Sequence, residues 1–173
     1  MKNNIQIRIA GPRDGELIAD LSRRTFYDSF AAVNTKENMD EFLNVQFTRE
    51  SLIAEVGAPD NIFLLAYLDD TVAGYARLLD KGSPKEMGHI PSIEVVRIYS
   101  EQAAIGKGVG KALMKAAIDT AIEKGRDWIW LGVWEHNQRA IDFYTKWGFE
   151  KFGEHIFFVG NDPQTDWWMK KKL

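Results

Sequence analysis

The sequence predicts a mixed α/β domain in which one sheet carries helices on both faces. Three observations lead there. Apolar runs of strand and helix character alternate in the order strand, helices, hairpin, strand, helix, strand, helix, strands. The run Trp128 to Trp134 is apolar at both parities, as a strand covered on two sides must be. Residues 95–114 pass from an apolar strand through Gly106, Gly108 and Gly110 into a helical stripe.

The elements follow in order. Residues 4–10 alternate with period two, predicting a first strand ended by Gly11-Pro12. Pro12 suits a first helical turn, and Leu17, Ile18, Leu21, Thr25, Phe26 and Phe30 fall at helical spacing to about residue 31. A shorter helix is expected over 35–44, capped by Asn34 or Thr35, and Thr48-Arg49-Glu50-Ser51 opens another that runs to Gly57-Ala58-Pro59. Ile62 to Leu68 and Val72 to Leu79 flank Asp69-Asp70 as a hairpin. Beyond a polar loop over 80–91, Ser92 to Ser100 reads as a strand, and the helix after the glycines ends at Gly125, a suitable residue for leaving a helix. Trp128 to Trp134 is a central strand, Asn137 opens a helix that stops at Gly148, and 149–159 and 165–171 are closing strands. No linker, repeat or low-complexity segment interrupts this order, so a single domain over 1–173 is expected.

A net charge of −3 offers no basic field for nucleic acid, and Lys170-Lys171-Lys172 reads as a solvated end. The chain has no cysteine, which excludes disulfides, thiolate catalysis and cysteine-based zinc sites. His89, His136 and His155 are scattered, without metal-ligand or triad spacing. Met1 to Ile9 lacks the apolar core of a secretory signal, and no apolar run reaches membrane-spanning length. A cytoplasmic protein with no membrane contact is the simplest expectation, and the oligomeric state stays open, a homodimer included.

The glycine-spaced stretch predicts an anion-binding turn. Glycines free the backbone to adopt left-handed dihedrals and to approach a ligand. The helix, expected to begin at the last of them, points unpaired N–H groups and its positive dipole end into the same turn. The spacing fits neither a P-loop, which would need Gly-Lys-Ser/Thr from 111, nor the dinucleotide fingerprint, which would need glycine at 111 or 113. A turn with no ligand is the bland alternative.

With Gly108 and Gly110, the turn resembles the acyl-CoA pyrophosphate loop of the GNAT N-acetyltransferases, Arg/Gln-x-x-Gly-x-Gly/Ala, although Ile105 stands at its first position. Asn137-Gln138-Arg139-Ala140-Ile141-Asp142-Phe143-Tyr144-Thr145-Lys146-Trp147-Gly148-Phe149 resembles the second signature of that family, Asn-x-x-Ala-x-x-x-Tyr-x-x-x-Gly-Phe, at every fixed position. The resemblance implies a GNAT-like, mostly antiparallel sheet and acetyl-CoA as co-substrate. It implies a pyrophosphate cradle over Gly106, Lys107, Gly108, Val109, Gly110 and Lys111. The backbone of Ile98, Tyr99 and Ser100 would contact the pantetheine arm, with the Ile98 N–H on the thioester carbonyl. Asn137 would touch the same arm, serve as helix cap, or both.

The resemblance also makes Tyr144 the general acid that protonates the departing thiolate. Reference pKa values of ~10 for tyrosine and ~8.5 for a thiol make that transfer uphill by roughly 2 kcal/mol in water. Glu94 is a carboxylate inside an apolar strand, where desolvation moves its pKa toward a useful range for a base. It corresponds to a strand glutamate that activates the amine in several family members; a salt-bridged or rim glutamate is the alternative. Alternation places Glu94, Val96 and Ile98 on one face and Arg97 on the other.

Thr25-Phe26-Tyr27-Asp28-Ser29-Phe30, Glu37-Asn38-Met39, Ile129 to Glu135 and Gln164-Thr165-Asp166 resemble the bacterial PaiA-type polyamine N-acetyltransferases. That resemblance implies spermidine or spermine as acceptor. Tyr27, Asp28, Trp134 and Glu135, with Glu37 and Glu94, are the carboxylates and rings a polycation would use. Acetylation of a protein N-terminus, a lysine or an amino-acid-like metabolite, and a non-catalytic acetyl-CoA-binding regulator, are the rival readings.

Overall fold

The computed structural model describes residues 4–173. The reading of the N-terminus as free of a signal core falls partly on residues 1–3, outside the described residues. Among the described residues seven strands form one sheet: β1 (Ile5–Ile9), β2 (Asn61–Leu68), β3 (Thr71–Leu79), β4 (Ser92–Ser100), β5 (Trp128–Trp134), β6 (Glu150–Val159) and β7 (Asp162–Lys172). Their spatial order is β1-β2-β3-β4-β5-β7-β6. Every neighbouring pair is antiparallel except β4 and β5. Asp69 and Asp70 turn the β2–β3 hairpin with φ of 48° and 64°, the left-handed pair a two-residue hairpin turn requires.

Five α-helices of the described residues cover the sheet: α1 (Gly15–Phe30), α2 (Lys36–Glu41), α3 (Arg49–Glu55), α4 (Val109–Glu123) and α5 (Gln138–Lys146). Alternation along the strands divides the core between two faces. Leu64, Leu78, Ile93, Val95, Ile129 and Leu131 pack with Leu113, Met114 and Ala117 of α4 and Ile141 of α5. On the opposite face Phe63, Leu65 and Tyr75 pack with Ile18 and Leu21 of α1 and with Val56. Among the described residues no helix is long and apolar enough to cross a membrane.

Three departures from expectation alter the path of the chain. Pro12–Asp14 form a separate short turn, in which Asp14 pairs with Arg8 at 2.7 Å, so α1 starts at Gly15 and Leu17 sits 37% exposed beside its apolar stripe. The second helix changes at Phe42 into a π turn over Phe42–Gln46. The Arg23 guanidinium donates to the Leu43 and Phe47 carbonyls there, satisfying groups that the widened turn leaves without helical partners. The turn brings Phe42 onto Phe26 at 4.3 Å between ring centroids. The third departure, a bulge in β4, shapes the site.

Candidate active site

β4 and β5 are paired only from Ser92 to Val95 and from Trp128 to Leu131. Beyond that they separate, and the edge of β4 facing β5 is left unpaired. The register of β3 with β4 explains the splay: Arg77 faces Arg97 while Leu78 faces Val95, so Val96 is an extra residue that bends the strand. The gap opens into a cleft of about 1160 Å³ that runs from the N-terminus of α4, between the split strands, to the rings of α1 and the π turn.

The glycine turn forms one end. Gly106 and Gly108 adopt φ of 82° and 95°, dihedrals that side chains resist. Helix α4 starts at Val109, one residue earlier than expected, with Gly108 as its cap. Its first intrahelical bond runs from the Ala112 N–H to the Gly108 carbonyl at 3.0 Å. The N–H groups of Val109, Gly110 and Lys111 therefore have no helical acceptor and supply an anion nest. Gly110 has ordinary helical geometry, and a Cβ there would only touch Phe143 at 3.8 Å. Gly74 has the sharper requirement: a Cβ would lie 2.5 Å from the Tyr99 carbonyl oxygen, so β3 can hold the end of β4 only because residue 74 lacks a side chain.

Of the residues expected at this end, Gly106, Gly108, Gly110 and Lys111 line the cleft. Val109 is buried behind it, and Lys107 is not part of the lining. Ile98, Tyr99 and Ser100 line the split, as does Asn137, whose side chain also accepts from the Ala140 N–H at 3.2 Å. Asn137 is thus both helix cap and cleft wall. Tyr144 lies on the same helix with its ring held 5.6 Å from Phe143 and 5.9 Å from Phe149. Burial pushes its phenol well above the usual tyrosine range, so it stays protonated at neutral pH.

Glu94 requires a correction. Because Val96 is bulged, Glu94 and Arg97 share a face, contrary to simple alternation. Arg97 makes a bidentate pair with Glu55, at 2.7 and 2.9 Å, and Arg77 reaches the same carboxylate at 3.2 Å. Both guanidiniums are engaged elsewhere, and desolvation dominates: burial pushes the Glu94 carboxyl up to about 7 against the pull of Arg77 and Arg97. Glu94 itself is outside the cleft lining, one residue below Val95, which is in it.

At the far end Asp28 and Trp134 line the cleft, whereas Tyr27 is 52% exposed on the outer side of α1, and Glu135 and Glu37 stand away from it. A helix turns about 100° per residue, so Asp28 faces in where its neighbour faces out. The rings of Phe26, Phe30, Phe42, Phe47 and Phe157 form the walls, with Phe30 edge-on to Tyr99 at 6.5 Å and to Trp134 at 6.4 Å. Gln46, Gln164, Arg139 and Asp166 also line the cleft, although sequence reasoning gave none of them a role. For Asp166 a signal existed: period-two alternation in Thr165-Asp166-Trp167-Trp168 puts a lone carboxylate on one face with Trp168.

The profile of the Acetyltransferase (GNAT) family matches residues 18–149. An uncharacterized N-acetyltransferase from the pepI 3' region of Lactobacillus delbrueckii subsp. lactis is 39% identical over 162 residues, covering 91% of each chain. An uncharacterized N-acetyltransferase of Mycobacterium tuberculosis is 28% identical over 160 residues, covering 92% of this chain and 98% of its own. Among solved structures, the PaiA N-acetyltransferase of Thermoplasma acidophilum in complex with coenzyme A superposes with a TM-score of 0.75 at 24% identity, covering 98% and 99% of the two chains. The protein yncA of Salmonella typhimurium, with its cofactor acetyl-CoA, gives 0.72 at 21% identity over 98% and 94%.

Proposed function

The chain belongs to the GNAT acetyltransferase family and is an N-acetyltransferase that uses acetyl-CoA, and from that premise we propose that its acceptor is a polyamine such as spermidine or spermine. One observation carries the reading: the amide nest of α4, the split between β4 and β5, and the Tyr144 phenol open into a single cleft whose other end is walled by aromatic rings and carries the carboxylates of Asp28 and Asp166. Rings and carboxylates are the surfaces that hold an alkylammonium chain. The proposal places the reaction in the cytoplasm.

The residues present fit the donor. Free N–H groups at the start of α4 and the Lys111 ammonium suit a diphosphate, and the unpaired edge of β4 from Val96 to Ser100 can accept an amide-bearing arm as an added strand. When bound, acetyl-CoA supplies an activated acyl carbon and a thiolate leaving group. Tyr144 holds a proton for that sulfur, and Glu94 accepts the proton of the amine through water, since its carboxylate does not reach the cleft. Gly74→Ala forces the end of β4 away from β3 and is expected to weaken coenzyme A binding at least about tenfold by calorimetry, as the close backbone contact leaves no flexible group to yield.

A panel of amines assayed with acetyl-CoA by thiol release tests the acceptor. Spermidine and spermine are expected to exceed lysine peptides and amino acids in kcat/KM by about tenfold or more, the worth of one added charge-assisted contact. Equal rates with a neutral-tailed amine of the same length would remove the polyamine reading.

A further inference from the structure

Asp166 belongs to the acceptor end of the cleft but occupies a different strand from every residue so far given a role. It lies on β7, directly opposite Trp134 of β5 and opposite His155 of β6. Among the described residues no hydrogen bond or ion pair engages its carboxylate, and burial pushes it up to about 6. His155 provides no compensating cation: burial lowers its pKa, its ring is stacked on Trp168 at 4.9 Å, and its Nδ1 is buried without a hydrogen-bond partner. Tyr99, whose phenol interacts electrostatically with Asp166, is held protonated by desolvation and brings no positive charge either.

The space beside this carboxylate is made by Gly132. This glycine is in the middle of β5, between Trp130 and Trp134 on the same face, and it is exposed to the cleft although the strand around it is buried. A Cβ there would lie 3.3 Å from His155 Cε1 and 3.7 Å from Asp166 Oδ2. Any larger residue would fill the gap that leads to the carboxylate. A half-buried acid without a partner costs folding free energy, which an incoming ammonium offsets.

Resting on the reading of the chain as a polyamine acetyltransferase, we propose that Asp166, reached over Gly132 and beside Trp134, is the receptor for the second ammonium group of the acceptor. Acyl transfer takes place at the split between β4 and β5, and β7 is the next strand beyond β5, about 5 Å further along the sheet. The charge it recognises is therefore a few methylenes from the reacting nitrogen, as in a diaminoalkane. Trp134 adds a ring face for the same cation.

The experiment compares 1,4-diaminobutane with butylamine, which share a reacting amine and differ in the second charge. The wild type is expected to prefer the diamine. Asp166→Asn is expected to lower kcat/KM for the diamine by about 10- to 100-fold, mostly through KM, and for butylamine far less, while Asp166→Glu recovers part of the loss. Gly132→Val, which fills the approach and leaves the charge in place, is expected to give the same selective loss. Calorimetric binding of coenzyme A by each variant shows that the fold is retained. A wild type with no preference for the diamine overturns the polycation acceptor and this receptor together. A preference that survives both variants overturns the receptor alone, as does an equal fall for both amines, which would assign Asp166 to the reacting nitrogen.

Discussion

Tyr144→Phe is expected to lower kcat by about 10²- to 10³-fold, the range for loss of a positioned proton donor, while the affinity for acetyl-CoA changes little. The substitution keeps the ring and its packing on Phe143 and Phe149, so the fold has no reason to respond. Only the hydroxyl is lost. Burial raises the phenol pKa, which by itself makes proton donation harder than the roughly 2 kcal/mol separating tyrosine from a thiol in water. The same desolvation acts on the departing thiolate, which is also an anion, and raises its proton affinity in parallel. As the proposed acid, Tyr144 is then a donor fully protonated at neutral pH, set against a leaving group more basic than in water. A further expectation separates this from a packing role. An acetyl thioester whose thiol is a stronger acid needs less help in leaving, so the penalty of Tyr144→Phe should shrink as the thiol pKa falls. Wild-type turnover by the Phe variant, or a penalty indifferent to the leaving group, would remove Tyr144 as the acid.

Local pattern was enough to single out the lining residues of the candidate cleft that lie close together in sequence. Gly108 and Gly110 ahead of a helical stripe, and Asn137 seven residues before Tyr144 on one helix, are readable because turn chemistry and helical period are properties of short windows. The bulge at Val96 was not readable. Ile93 to Ser100 contains neither glycine nor proline to mark it, and it is defined by a partner strand. Missing it put Arg97 on the wrong face. The far end of the cleft depends still more on distant pairings. Asp166 meets the cleft because β7 pairs with β5 across Trp134, and Phe42 meets Phe26 because a π turn replaces the end of α2. Tyr27 shows the reverse error: a ring next to Phe26 in sequence, yet outside the cleft, because composition was read there without its helical phase.

Glu94→Gln is expected to have the second large effect, about 10²-fold or more in kcat near pH 8, and to alter the shape of the pH profile. In the wild type kcat should rise about tenfold per pH unit up to about 7, where the buried carboxyl loses its proton, and then level. The Gln variant has no such group, so its low plateau should lack that limb. Asp166 titrates lower, at about 6, so a limb centred there that survives in the Gln variant would identify Asp166, not Glu94, as the group whose ionisation matters. Stability supplies an independent check with a definite sign. The folded pKa of Glu94 lies above the ordinary glutamate value of 4.5, so the folded state binds this proton more tightly than the unfolded chain does. Its favourable contribution is fully present below that lower value and is lost as pH rises through about 7. Above it the buried charge is a liability, because Arg77 and Arg97 are already held by Glu55. Glu94→Gln should therefore gain on the order of 1–3 kcal/mol relative to wild type between pH 5 and pH 8, measured as a shift of the urea midpoint at constant slope. A glutamate kept only to pair with an arginine would show the opposite trend, with the Gln variant losing ground as pH rises. The combination of lost turnover and gained stability at alkaline pH is the mark of a carboxylate held in an unfavourable setting for its chemistry, and either half failing would return Glu94 to a structural role.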